Sequence, residues 1–143
     1  MKKAFVIIPV TVFLMVINFS CKKSKEKEPA RSDLIVGTWH LTASGQDDNM
    51  NGTLETAEYD PIPPGASLVE TFNADHTGSI VIISGGTTSS NTFTWQFQNN
   101  DTELLVTAPG AAAVTIRISV LSASQLMGYD VTSNPRTIVI LAK

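Results

Sequence analysis

The sequence predicts an all-β domain, an eight-stranded antiparallel up-and-down barrel, on three observations. The first is alternation at period two. In residues 91–98, Phe93, Trp95 and Phe97 fall on one face and Thr94, Gln96 and Gln98 on the other. In residues 113–122, Val114, Ile116, Ile118 and Val120 alternate with Thr115, Arg117 and Ser119. This is the pattern of strands with one buried face. The second observation is punctuation: "ADHTGS", "SGGTTSS", "QNNDTE" and "TSNPRT" supply the glycine, asparagine, aspartate and proline that reverse a chain. The third is that no window of twelve residues past residue 32 carries an apolar stripe at helical spacing.

The remaining strands are placed at 34–42, 67–74, 79–84, 103–107, 125–132 and 136–142, each enriched in threonine, valine or isoleucine. Eight strands on short connections make a meander, and closing it into a barrel removes the exposed edges that invite aggregation. A two-sheet sandwich satisfies the same pattern.

The first 21 residues stand outside this fold. Lys2 and Lys3 precede an apolar run over residues 4–19 that contains a proline. That run is short for a membrane span of roughly 20 residues and suits a secretory signal. Ser20 and then Cys21, the only cysteine of the chain, end it. The junction resembles the lipidation site of bacterial lipoproteins, which implies acyl chains on Cys21 and a membrane anchor. It departs from the common pattern at Asn18 and Phe19, and an ordinary cleaved signal is the other reading. Residues 22–32 follow, with five basic and two acidic side chains and no large apolar one. Such a segment cannot offset its ordering entropy and is expected to act as a flexible charged linker.

Residues 33–143 make one domain, enough chain to build an apolar core without a disulfide. Against three basic residues, Arg117, Arg136 and Lys143, stand eleven acidic ones, a net of about −8. A surface of that sign repels polyphosphate, which excludes nucleic acid as a natural partner, and suits cations.

The longest connection, 43–66, contains "DDNMNGTLETAE" at residues 47–58. Asp47, Asn49 and Asn51 occupy positions 1, 3 and 5 of a calcium loop. Gly52 occupies position 6, Thr53 offers a backbone carbonyl at position 7, Glu55 stands at position 9 and Glu58 at position 12. Calcium takes six to eight hard oxygens, which this spacing can wrap around one point. The flanks are not those of an EF-hand, because three prolines in 61–64 forbid a regular exit helix. A structural Ca2+ is therefore expected in a loop on a β scaffold. A solvated loop of asparagine and aspartate turns is the plainer alternative.

Gly37, Thr38 and Trp39 in "IVGTWHLT", then "ETFNADHTGSI" and "FTWQF", occur in that order. This set resembles the lipocalin-like lipoproteins of the Bacteroidetes type, in which a G-x-W motif opens the first strand. His76 stands where glycine is usual in the turn. The resemblance implies a barrel whose base Trp39 closes, with Gly37 allowing close backbone approach, and an arginine stacked on that tryptophan. Arg117 and Arg136 are the candidates for it. It also implies a monomer in the cell envelope of a Gram-negative bacterium, an outer-membrane lipoprotein facing the periplasm or the surface.

Catalytic patterns are absent from the sequence. There is no nucleophile elbow, the two histidines His40 and His76 lack the further ligands a zinc site needs, and the acids that could be paired for glycoside hydrolysis, Glu70, Asp75, Asp101 and Glu103, fall mostly at predicted turns, where charge is ordinary. The expected function is non-enzymatic. One reading is a binding module that takes a small apolar ligand in the barrel, against Trp39, Phe93, Trp95 and Phe97. The alternative is a filled barrel that serves as an envelope interaction protein, since eight strands enclose room for side chains or one small ligand.

Overall fold

The computed structural model describes residues 28–143, and it is one closed meander. A single helical turn, α1 (Arg31–Ile35), leads into β1 (Gly37–Asp47), a two-residue β2 (Tyr59–Asp60), β3 (Ser67–Phe72), β4 (Thr77–Ser84) and β5 (Thr87–Gln98). β6 (Glu103–Thr107), β7 (Val114–Leu121), β8 (Gln125–Asp130) and β9 (Arg136–Ala142) complete it. From β3 onward each strand pairs antiparallel with the next, and β1 closes the ring by pairing with both β3 and β9. Eight strands form the barrel wall; β2 adds to the upper part of β1 through Ser44 and Gly45. The sandwich is thus set aside in favour of the barrel. The signal segment, Cys21 and the linker up to residue 27 lie outside the described residues.

The first strand starts later and runs longer than 34–42, because residues 31–35 wind into a turn of helix that plugs one end. Ile35, at its end, is fully buried. A five-residue helix leaves its last carbonyls without internal partners. Here the Trp39 indole N–H donates to Ile35 O at 2.7 Å. Lys143 Nζ donates to Leu34 O at 2.7 Å and Val36 O at 2.8 Å. Gly37 sits at φ +134°, a conformation side chains rarely adopt, and a Cβ there would meet the Lys143 side chain at 3.0 Å.

The barrel interior is packed at this plugged end. Trp39, Phe72, Phe93, Trp95, Leu104 and Leu141 are all buried in one cluster. Phe72, Gly78 and Phe93 lie side by side across β3, β4 and β5. A Cβ on Gly78 would come within 2.3 Å of the Phe93 ring. The glycine lets Phe72 and Phe93 meet edge-on at 5.3 Å, a favoured aromatic geometry. Trp95 lies edge-on to Phe72 at 5.9 Å and to Phe97 at 6.0 Å, and its indole donates to Thr77 O at 3.0 Å.

The turn between β3 and β4 carries His76 at φ +67°, which is why glycine is usual there. Its imidazole stacks on Trp95 with ring centroids 4.7 Å apart. Beside it the Asp75 carboxylate accepts from the Thr77 hydroxyl at 2.6 Å and the Thr77 amide at 3.0 Å, and these bonds hold its pKa below the ordinary value.

Candidate functional site

Away from the plug, the same alternating positions are occupied by smaller side chains, and the interior opens into a cavity of about 530 Å³. Its wall is mainly aliphatic, with Ile80 and Ile82 of β4, Val106 of β6, Ile116 of β7 and Val139 of β9, and Phe72 and Phe93 also line it. The mouth follows from unequal strand lengths. β6 pairs with β5 only from Thr94 to Gln98, so β5 runs past it. Ala108, Pro109 and Ala111 of the β6–β7 connection face Asn91 and Thr92 across the resulting opening. A second, shallower hollow shares Thr92, Phe93, Ala108 and Pro109 with the first.

One wall position is acidic. Glu70 pairs with Trp39 of β1 on one side and with Ile80 of β4 on the other, and Ile80 pairs in turn with Asn91. Opposed residues of adjacent antiparallel strands point to the same face. Trp39, Glu70, Ile80 and Asn91 therefore form one inward row. Burial in this apolar wall pushes the Glu70 carboxyl up to about 7 from its ordinary 4.5. The sequence pattern groups it with the ordinary charges of the turns. The signal was there, since Leu68, Glu70 and Phe72 share one face of the predicted strand.

Of the four aromatic residues expected against a ligand, Phe93 lines the cavity, while Trp39, Trp95 and Phe97 do not. Trp39 and Trp95 are spent on the base, where both indole nitrogens are bonded to backbone carbonyls. The cation over Trp39 is also not an arginine. Lys143 Nζ lies 4.5 Å from its ring centroid, and desolvation there lowers the lysine's pKa. Arg117 instead pairs with Glu103, and Arg136 lies 4.8 Å over the Tyr129 ring.

The 47–58 loop folds against the outer wall. Ile138 alternates with cavity-lining Val139, so it faces outward, yet it is fully buried. Leu54 crowds Gly45, which pairs with Ile138, and Gly52 approaches the ring of Tyr129, which also pairs with Ile138. Asp47 is fully buried beneath the loop. Its two carboxylate oxygens accept from the amides of Asn51 at 2.9 Å and Gly52 at 2.7 Å, and Arg136 lies 3.8 Å away. Arg136 also donates to Met50 O at 2.8 Å.

The other loop positions likewise bond within the loop. Asn49 Oδ1 accepts from the Asn51 amide at 2.9 Å, and Asn51 Oδ1 accepts from both the amide and the hydroxyl of Thr53. Asn51 Nδ2 donates to Glu55 Oε1 at 3.0 Å. Glu58 accepts from the amides of Asp48 at 3.2 Å and Glu55 at 2.9 Å. The six expected ligands are thus gathered in one short loop, where the side-chain oxygens of Asp47, Asn49, Asn51, Glu55 and Glu58 accept from its own donors and Thr53 donates rather than accepts. Among the described residues no group of three or more His, Cys, Asp or Glu side chains is placed to hold a metal.

A closed antiparallel ring of eight strands, blocked at one end and hollow toward the other, defines the class of up-and-down barrels. Within that class the family is established: the lipocalin-like domain matches over residues 35–127, and the chain belongs to that family. Among solved structures, the deswapped triple mutant of bovine odorant binding protein is similar at 14% identity. The match covers 76% of this chain and 73% of that chain, with a TM-score of 0.43. No curated protein matches the chain.

Proposed function

We propose that this protein is a non-enzymatic binding module that holds one small apolar molecule inside the barrel. The observation that carries the reading is the aliphatic cavity of about 530 Å³, within the roughly 300–1,000 Å³ typical of small-molecule sites. Lipocalin-like barrels are ordinarily binding scaffolds, which supports it, although function rests on the site rather than the fold. Titration with a neutral, environment-sensitive naphthyl dye is the test. Saturable binding to the wild type, lost in Val106→Trp with the melting temperature kept, supports the reading. No saturable binding in the wild type overturns it in favour of the envelope interaction protein.

Two finer proposals rest on the sequence. Residues 1–21 support an envelope lipoprotein acylated at Cys21, which labelling with a palmitate analogue tests: label must enter the wild type and not Cys21→Ser. The spacing of residues 47–58 supports a calcium loop, but ligation requires Glu58 to release the amides of Asp48 and Glu55. Calorimetric titration with calcium tests it. Heat that persists unchanged in Glu58→Ala removes this loop as the site.

A further inference from the structure

We infer that the ligand is an amphiphile with a protonated amine head, which pairs with the Glu70 carboxylate while its apolar body lies along Ile82, Val106 and Ile116. This inference rests on the cavity-binding reading and names the ligand class for it.

Position is the first support. Glu70 is the one ionisable residue, of those described, in the wall of a mostly apolar cavity, flanked by Trp39 and Ile80 in its own row, with Asn91 beyond Ile80. Among the described residues nothing donates a hydrogen bond to its carboxyl, although nearly every other buried or half-buried acid here has a partner. Asp47 takes two amides, and Glu103 takes Arg117 and Asn99. Glu70 is half-buried and its carboxyl opens to the cavity, so a donor on a ligand can reach it there and replace water.

The second support is the charge around it. From β1, β4, β5, β6, β7, β8 and β9 the cavity receives no other titratable or charged side chain. Asp130, toward the β8–β9 turn, shares the inward register with Ile116 and is held there by the Thr132 amide and hydroxyl, both at 2.7 Å. Asp60 of β2 is exposed on the upper part of β1. The cations Arg117 and Arg136 sit on the outer face with Glu103, Tyr129 and Ile138, and Lys143 serves the plug.

Among the described residues, a ligand carboxylate entering this space meets like charge and no cation. A neutral head gains one hydrogen bond. An ammonium gains an ion pair in a setting of low dielectric, where opposite charge also draws the Glu70 proton off. The gap beside Asn91 and Thr92 lets an extended tail enter alongside the head.

Three ligands of one chain length, decylamine, decan-1-ol and decanoic acid, test this by calorimetric titration below their micellar concentrations. At pH 8 the amine is expected to bind the wild type at least tenfold more tightly than the alcohol, with the acid weakest. Between pH 8 and pH 5.5 the amine advantage shrinks as Glu70 takes up its proton, a readout that needs no variant. In Glu70→Gln the amine and alcohol should bind within about threefold of each other, with alcohol affinity kept. Equal amine and alcohol affinities in the wild type at pH 8, or an amine advantage that survives Glu70→Gln, overturns the inference and leaves the cavity reading standing. Failure of all three ligands to bind overturns both.

Discussion

The two halves of this barrel are built from the same eight strands and end differently. At the plugged end the inward positions hold Trp39, Phe72, Phe93 and Trp95, with Ile35 sealing beneath them. Toward the mouth the inward positions of the same strands hold isoleucine and valine, with Glu70, Asn91 and Asp130 among them. The same strands wall both halves, and the bulk of the inward side chains distinguishes the solid half from the hollow one. Strand alternation sets the direction of a side chain, and its size sets whether the space it faces is occupied.

The largest effect separates the halves directly. Trp39→Ala removes a fully buried indole and uncouples its bond to Ile35 O. It should cost about 3–5 kcal/mol, the usual range for deleting a packed tryptophan. Ile82→Ala, in a wall that already borders empty space, should cost about 1 kcal/mol, because little new cavity is created. Urea midpoints at unchanged m report both values. Similar losses at the two sites would mean that the upper half is as tightly packed as the lower.

The solid half was legible in the sequence and the hollow half was less so. "NTFTWQF" announced an inward aromatic face, and Gly37 with Trp39 announced the closed end. Yet alternation alone assigns Trp95 and Val106 the same role, although one fills the base and the other borders the cavity. The plug was missed because "RSDLI" is a single turn whose helical state depends on Trp39 and Lys143, more than a hundred residues away in the case of Lys143. Local propensity carries no trace of such partners. Glu70 was visible as an acid at an inward position, but its isolation appears only when the neighbouring strands are known.

A charged wall sharpens the contrast. The folded protein keeps a proton on Glu70 up to about pH 7, whereas the unfolded chain releases it near 4.5. Between those values the folded state binds more protons, so stability falls as pH rises through the window and stays low above it. Glu70→Gln removes this slope. It should leave stability at pH 4 nearly unchanged and raise it at pH 8 by about 2 kcal/mol, after discounting for the carboxyl's access to the cavity. Parallel stability curves for variant and wild type from pH 4 to pH 8 would show that the carboxyl is solvated. The barrel mouth would then be wet rather than apolar.

The plug contributes a smaller increment through its cation. Lys143→Met gives up two bonds to the Leu34 and Val36 carbonyls and the contact over Trp39. At this exposed position the cost should be about 1 kcal/mol. Lys143→Arg supplies the guanidinium that the family resemblance leads one to expect, and should stay within about 0.5 kcal/mol of the wild type. Denaturant melts at pH 7 distinguish them. A Lys143→Met protein as stable as the wild type would show that Trp39 and Ile35 close the barrel without help.

The smallest expected effect lies at the edge of the aromatic base, where two terms oppose. His76→Gly relieves a left-handed backbone that costs a non-glycine residue about 1 kcal/mol. The same change removes a ring stacked on Trp95 at 4.7 Å, a contact worth about 0.5–1.5 kcal/mol. The difference should fall within about 0.5 kcal/mol of zero, so stability alone cannot weigh the stack. Fluorescence can: uncovering the Trp95 face should shift its emission to longer wavelength, and the Trp39→Phe background removes the other indole from the signal. An unshifted spectrum would mean that Phe72 and Phe97 already screen the ring and that backbone bonds to Asn73 and Trp95, with the Asp75–Thr77 bonds, hold His76 in its turn without the stack.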